Sequence, residues 1–298
     1  MNIKIRKYSK GQIFWGLAMV APTIIGLFIL NIYPFIQTIY LSFCETGDFG
    51  KNIWIGFDNY KRFIGDSLVW VSTKNTIIYV ILTVPGGVIL ALIFANLLHS
   101  NIKGKGIYRA IFFLPIVCAP AAIAMVWKWL FNTDFGLINQ MLSYFGISSI
   151  AWLTNPKLAI ISVSLVTVWS SMGYDIILIL AGLQGIPKSN IEAAKIDGAN
   201  SFQIFKSVTI PLVSPTLFFV LIMRLMSSLK QFDLIYMLVD EKNPALEGAQ
   251  TLTYLFYRQA FVIKDKGYAS VIVLWTFVLI AGITLFQFIT EKKWVHYE

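Results

Sequence analysis

The sequence predicts an all-α, polytopic membrane protein with six transmembrane helices. Of its 298 residues, 57% are hydrophobic and only 13% are charged, and the mean hydropathy is +0.71. Apolar runs recur along the chain, and each supplies the roughly 20 residues needed to cross a hydrocarbon core. This composition is typical of membrane proteins and excludes an ordinary soluble domain.

Six apolar runs alternate with polar segments. The first run is too long for the apolar part of a signal peptide and shows no convincing cleavage site, so we interpret it as an uncleaved span. The second is interrupted by Pro85-Gly86-Gly87. Within a single domain covering residues 1–298, the predicted spans are residues 13–43, 75–98, 107–131, 158–183, 212–238 and 268–289.

The basic residues predict the orientation of these spans. One set of loops holds twelve Lys or Arg residues, among them Lys4, Arg6, Lys7 and Lys10, and the opposite set holds nine in much longer segments. The denser basic set should be cytoplasmic by the positive-inside rule. Six spans then leave both termini in the cytoplasm. The net charge of +9 is explained by these loops, and we expect no nucleic acid partner.

The sequence shows no motif for a disulfide framework, a metal site, a phosphate-binding loop or a catalytic site. Cys44 and Cys118 offer neither a disulfide framework nor metal-ligand spacing, and we interpret both as packing residues. The Lys103-Gly104-Lys105-Gly106 cluster lacks the preceding strand of a phosphate-binding loop. We find no paired acid and base and no nucleophile elbow. The sequence therefore predicts no enzyme activity, no cofactor and no metal.

The most polar stretch between two long apolar runs follows the fourth span, and it predicts a helix, a turn and a second helix. Pro187 suits a first helical turn, and Glu192 is expected early in the helix, where the macrodipole favours an anion. Gly198 should end this helix in a left-handed conformation. Asn200 can cap the next helix together with Gln203. From spacing alone, a simple loop between two membrane helices remains an equal alternative.

This stretch resembles a known motif. Glu192-Ala193-Ala194, Asp197-Gly198-Ala199 and Ile210-Pro211 are similar to the EAA motif of permease subunits in prokaryotic ABC importers. The resemblance implies that residues 185–206 form a cytoplasmic coupling helix that docks into a groove of the ATPase. The implied coupling residues are Glu192, Ala193, Ala194, Asp197 and Gly198.

The likeness extends over most of the chain. Tyr33-Pro34, Trp54 to Tyr60, Phe112 to Pro115, Ala181 to Gln184 and Phe232-Asp233 together resemble the sugar-type permeases of binding-protein-dependent importers. Such proteins take up oligosaccharides or glycerol 3-phosphate.

That resemblance implies the fold of a type I importer permease in a prokaryotic plasma membrane. The implied partners are ATPase subunits, a second permease that is a different chain, an extracellular substrate-binding protein and membrane lipid. An oligosaccharide is the expected substrate, and glycerol 3-phosphate or an acidic sugar is the alternative. A secondary transporter or a channel is the alternative function from a different class of protein, but the sequence shows no clear internal repeat in its support.

Charged residues inside the predicted spans mark functional candidates. Lys230 and Asp233 lie three residues apart and are expected to neutralise each other on one helix face. Arg224 has two alternatives: it binds an acidic group on the substrate, or it pairs with Asp175 across the bundle. Trp169 is expected to be a packing or lipid-facing aromatic residue.

The predicted substrate path combines an aromatic residue with hydrogen-bonding groups. The resemblance favours Tyr174, because an aromatic residue at this distance before the EAA motif lines the sugar path in related permeases. Ser227 and Gln231 are four residues apart and are predicted to share one helical face. The candidate residues of the path are Tyr174, Arg224, Ser227 and Gln231.

Overall fold

The structure is a computed structural model that describes residues 10–46, 51–100 and 103–296. Helices dominate it, and the all-α fold class is confirmed. In chain order the helices are α1 (Lys10–Leu27), α2 (Tyr33–Ser42), α3 (Asp58–Gly65), α4 (Ser67–His99), α5 (Lys105–Val117), α6 (Pro120–Leu130), α7 (Leu137–Ser143), α8 (Pro156–Gln184), α9 (Lys188–Ile196), α10 (Ser201–Ile204), α11 (Ile210–Leu229), α12 (Asp233–Leu238), α13 (Leu246–Ala249), α14 (Leu252–Tyr257) and α15 (Lys266–Glu291). The basic residues Lys4, Arg6 and Lys7 lie outside the described residues.

Among the described residues, five continuous helical segments are long and apolar enough to cross a membrane. They are Phe14–Ser42, Ser67–His99, Pro156–Gln184, Ser201–Leu229 and Lys266–Glu291. The first of them joins α1 to α2 through a π-helical turn. A sixth segment exists if α5 and α6 are taken together as one span.

The predicted third span is broken rather than continuous. Helices α5 and α6 meet at an angle of 101°. Ala119 at the break is extended, with φ −61° and ψ 138°, because the residue before a proline is disfavoured in the helical region. Pro120 then begins α6, and Pro115 lies in the last turn of α5. The two prolines therefore explain why the helix stops and restarts here.

The fifth span also differs from the prediction. The sequence predicted residues 212–238, whereas the helix that begins at Ser201 ends at Leu229. Lys230 follows the helix end, and Asp233 begins the separate helix α12. The expectation that Lys230 and Asp233 share one helix face is therefore wrong, because the helix ends before Lys230 and a new helix begins at Asp233.

The chain divides into two compact units. The first unit comprises the chain up to residue 65 and residues 259–274. It contains a two-stranded antiparallel hairpin, β1 (Cys44–Thr46) and β2 (Asn52–Trp54), in which Cys44 lies opposite Trp54. The Asn59 side chain is buried and donates hydrogen bonds to the carbonyls of Ser42 and Cys44, at 3.1 and 2.8 Å. These bonds join α3 to the end of α2.

The second unit comprises residues 66–258 and 275–298 and contains most of the apolar core. Helix α4 packs along α8, where Ala91 and Ala95 are completely buried. A methyl group added at Gly182 of α8 would lie 2.4 Å from the Thr216 hydroxyl oxygen of α11. Small residues therefore allow α4, α8 and α11 to approach closely, as is usual for helices packed in membranes.

Replacing Asn59 with Ala should destabilise the first unit. The substitution leaves two carbonyl groups without their buried donor, at a cost of about 1–3 kcal/mol. We expect a lower apparent melting temperature for the purified transporter. The matched control is Asn52→Ala, at an exposed residue of β2, which should leave the melting temperature unchanged. Equal melting temperatures for the two variants would contradict this role of Asn59.

Candidate functional site

A cavity of about 350 Å³ opens where the break between α5 and α6 faces α8 and the end of α11. Its apolar wall includes Pro115, Pro120 and Ile123 from the broken span. The polar groups of the lining come from α8, from α11 and from the residues that follow α11. They are Thr167, Ser170, Ser171, Tyr174, Asp175, Arg224, Ser227, Ser228, Gln231 and Asp233. A mainly apolar cavity with a cluster of polar groups is typical of a small-molecule site.

An ion pair lies in the cavity lining. Arg224 of α11 donates from Nη1 to an Asp175 carboxylate oxygen of α8, and the two residues are 6% and 5% exposed. The Arg224 Nε donates to the Thr83 carbonyl of α4 at 2.9 Å. Of the two alternatives left open by the sequence, the structure therefore shows pairing with Asp175. Three helices meet at this one guanidinium group.

Hydroxyl groups extend the polar network away from the ion pair. The Thr83 hydroxyl donates to the Tyr79 carbonyl, and its oxygen lies 2.9 Å from the Ser228 hydroxyl. The Tyr79 hydroxyl donates to Thr167 at 2.7 Å. Such bonds are required because a buried hydroxyl without a partner is costly. The network connects α4, α8 and α11 beside the cavity.

Gly87 of α4 provides the space for the Arg224 guanidinium. A methyl group added at Gly87 would lie 2.0 Å from the Arg224 Cζ atom. The guanidinium is buried and held by Asp175 and Thr83, so it cannot move without breaking these bonds. Neighbouring Gly86 differs, since no atom of the described residues lies within 4 Å of its added methyl group.

The four predicted path residues, Tyr174, Arg224, Ser227 and Gln231, all line this cavity. Their predicted arrangement is wrong in one respect: Gln231 lies beyond the end of α11 at Leu229, so it does not share a helical face with Ser227. Tyr174 is 46% exposed.

Several lining groups were missed by the sequence reasoning. The break between α5 and α6 was not predicted, although Pro115 and Pro120 were signals for it. Ser170 and Ser171 lie one turn before Tyr174 and were not chosen. Trp169, considered beside Tyr174, packs against Trp127 with ring centroids 5.4 Å apart, in agreement with a packing role.

The predicted helix, turn and helix after α8 are present. Gly198 has a φ of +80°, and it follows the end of α9. Asn200 accepts a bond from the Gln203 backbone at 2.9 Å, and the Gln203 side chain accepts one from the Asn200 backbone at 2.7 Å. This reciprocal capping box explains why α10 begins at Ser201.

Two details of α9 differ from the prediction. Pro187 precedes the helix as its N-cap residue instead of occupying the first turn. Glu192 is the fifth residue of α9, so it is too far from the N-terminus for the macrodipole argument. Glu192, Ala193 and Asp197 are exposed, and Ala194 is partly exposed. Their exposure leaves this surface open to a partner.

A bundle of apolar helices around a cavity with a cluster of polar groups is typical of polytopic membrane transport proteins. Residues 76–296 match the family model for the binding-protein-dependent transport system inner membrane component. The chain belongs to this family. It is therefore a multi-pass inner membrane permease component of an ABC transporter, a class of protein that does not itself catalyse a reaction.

Two relatives agree with this assignment. The chain is 38% identical to the probable ABC transporter permease protein YesP of Bacillus subtilis (strain 168), over 95% of this chain and 92% of that protein. It is 34% identical to the trehalose/maltose transport system permease protein MalF of Thermococcus litoralis, over 94% of this chain and 93% of that protein.

The fold is similar to that of a solved structure, a bacterial ABC transporter involved in the import of the acidic polysaccharide alginate. The TM-score is 0.84, with 24% identity over 95% of this chain and 96% of that chain. At this identity the likeness shows the fold alone.

Substituting Gly87 with Ala should displace Arg224 and break its pairing with Asp175. Loss of one partner of a buried ion pair costs about 3–5 kcal/mol, so the purified transporter should melt at a clearly lower temperature or fail to assemble. The control Gly86→Ala changes the same residue type in the same helix turn and should have little effect. If the two variants behaved alike, the proposed packing of the guanidinium would be incorrect.

Proposed function

We propose that this chain forms the translocation path for a carbohydrate in an ABC importer and couples that path to a separate ATPase. The observation that carries the proposal is the cavity beside the Asp175–Arg224 pair, which combines one aromatic side chain with a group of hydroxyls. Hydroxyls of a sugar that leave water need hydrogen-bonding partners of this kind. The trehalose/maltose permease among the relatives supports a carbohydrate substrate.

The remaining partners follow from this role. An ATPase supplies the energy, a second permease subunit completes the membrane complex, and an extracellular binding protein delivers the substrate. The segment from residue 185 to 206 is the coupling surface. It connects α8 directly to the long helix that begins at Ser201. Both of these helices line the cavity, so a movement of the segment acts directly on the path.

The surface of the coupling segment fits a protein partner. Ile196 is 86% exposed and Phe202 is 71% exposed, on either side of the turn at Gly198. Large apolar side chains on an otherwise polar segment are typical of a contact surface. Glu192 is also exposed on α9 and offers a carboxylate to an Arg or Lys of the ATPase. Such charge-assisted hydrogen bonds contribute about 1.5–3 kcal/mol each.

Reversing the charge of Glu192 should uncouple the transporter. In the Glu192→Lys variant, we expect loss of uptake and of substrate-stimulated ATP hydrolysis, with normal amounts of the chain in the membrane. Both rates are measured in proteoliposomes containing the complete transporter. Glu247→Lys is the control, because it makes the same change at an exposed residue between α12 and α14. Normal coupling in Glu192→Lys would refute the docking role.

The orientation of the chain is open to a direct test. We propose that Lys195 faces the cytoplasm and that Glu247 faces outward, since their loops belong to the denser and the sparser basic sets. Single cysteines at these two positions are introduced after Cys44 and Cys118 are replaced. A membrane-impermeant maleimide should label position 247 in intact cells and position 195 only after lysis. The reverse pattern would overturn the orientation and the coupling proposal together.

Removing the aromatic ring from the cavity should impair transport without loss of the complex. For Tyr174→Ala we expect about a fivefold lower uptake, because the contact of an aromatic ring with a bound ligand contributes on the order of 1 kcal/mol. Ile177→Ala is the control: Ile177 lies on the same helix, is 43% exposed against 46% for Tyr174, and is absent from the cavity lining. Equal uptake by the two variants would argue against a substrate path here.

A further inference from the structure

We propose that the cavity selects a neutral, polyhydroxylated ligand and rejects anions. This inference rests on the proposed role of the cavity as the substrate path. Among the residues that the structure describes, the charged residues of the lining are Asp175, Arg224 and Asp233, which gives one acid more than bases. The buried guanidinium is already matched by a carboxylate. Within this described lining, no cation is therefore left to balance the charge of a phosphate or carboxylate ligand.

Electrostatics within the cavity disfavours an anion for a physical reason. An anion that leaves water loses a large hydration energy, which only an unmatched cation nearby can replace. Arg224 would attract such a ligand, but Asp175 in contact with it would repel the ligand almost equally. Asp233, which is exposed at α12, adds a further repulsion. A neutral ligand avoids this penalty because it carries no net charge to be stripped of water.

The hydrogen bonds of two serines favour the same conclusion. The hydroxyls of Ser170 and Ser171 donate to the Thr167 carbonyl, at 3.2 and 2.6 Å. Their protons are therefore engaged within α8, and their oxygen lone pairs remain available as acceptors. Carboxylate and phosphate oxygens are acceptors and cannot bond to these lone pairs. A sugar hydroxyl can, because it carries a proton to donate.

Donors are also present in the lining, at Tyr174, Ser227 and Gln231, and a hydroxyl oxygen can accept from each of them. The buried Nη2 of Arg224 has no hydrogen-bond partner within the described part of the chain. This atom has almost no exposed surface and packs against Gly87 of α4, so it does not reach a ligand in the cavity. The Gln231 amide can both donate and accept. A mixture of donors and acceptors matches hydroxyl groups, each of which does both.

The size of the cavity and its aromatic residue narrow the ligand further. At about 350 Å³ the cavity lies near the lower end of the range for small-molecule sites, roughly 300–1,000 Å³. The exposed ring of Tyr174 offers an apolar face to the C–H groups of a sugar. These features indicate a small neutral saccharide, or one end of a longer one, instead of glycerol 3-phosphate or an acidic sugar.

The test measures binding to the assembled transporter in lipid nanodiscs by titration calorimetry. The probes are maltose, trehalose and lactose, each paired with a monophosphorylated form of the same disaccharide. We expect at least one neutral probe to bind about tenfold more tightly than its phosphorylated form. Tighter binding of the phosphorylated form would overturn the inference. If no probe of either kind bound, the substrate path itself would be contradicted, and the inference with it.

Two charge variants test the electrostatic argument. Asp175→Asn leaves the charge of Arg224 unmatched and should raise the affinity for the phosphorylated probes about tenfold. Asp233→Asn removes an exposed acid, so it does not endanger folding. It should raise this affinity about two- to threefold at low salt, and the gain should vanish at high salt. Asp240→Asn is the control, because it removes an acid that pairs with Lys128 outside the lining.

A third variant keeps the test decisive if Asp175→Asn fails to assemble. Ser171→Ala removes an acceptor for sugar hydroxyls and should weaken the neutral probe about threefold to tenfold. The inference fails if Asp233→Asn behaves like Asp240→Asn and Ser171→Ala leaves the binding of the neutral probe unchanged. Such a result would leave the substrate path intact and would remove only the preference for neutral ligands.

Discussion

The buried pair of Arg224 and Asp175 is the interaction on which the second unit depends. It joins α11 to α8, and through the Thr83 carbonyl it also holds α4. A charge in such a place is tolerated only with a close opposite charge and further hydrogen bonds. Gly87 must stay small for the guanidinium to fit. The packing of these three helices beside the cavity therefore depends on one ion pair and the space made for it.

The same two helices carry the connection to the coupling segment. α8 leads into α9, and the helix that contains Arg224 begins at Ser201, just beyond the turn at Gly198. The ion pair thus lies between the two helices that the segment connects. In the proposed coupling role, a force applied to α9 by an ATPase would pass along these two helices. The proposed substrate path and the proposed coupling segment are therefore connected through the helices that this ion pair joins.

The broken third span has a different role in the same site. Two prolines end α5 and begin α6, and the bend of 101° leaves an apolar wall opposite the polar residues of α8 and α11. An unbroken helix would lack this bend, and the bend is what forms the apolar boundary of the cavity. The cavity is therefore bounded on one side by a break in the backbone and on the other by a satisfied polar network, which explains how it is both polar and stable.

Local patterns in the sequence determined the fold class, most of the spans and the turn chemistry of the coupling segment. Gly198 and the capping box of Asn200 and Gln203 could be predicted, because each depends on residues a few positions apart. Only the tertiary structure decided that Arg224 pairs with Asp175, 49 residues away, and that Gly87 makes room for it. Such contacts depend on the way in which long helices pack against each other. Helical periodicity predicts the face on which a residue lies, but it does not predict which residue of another helix contacts it.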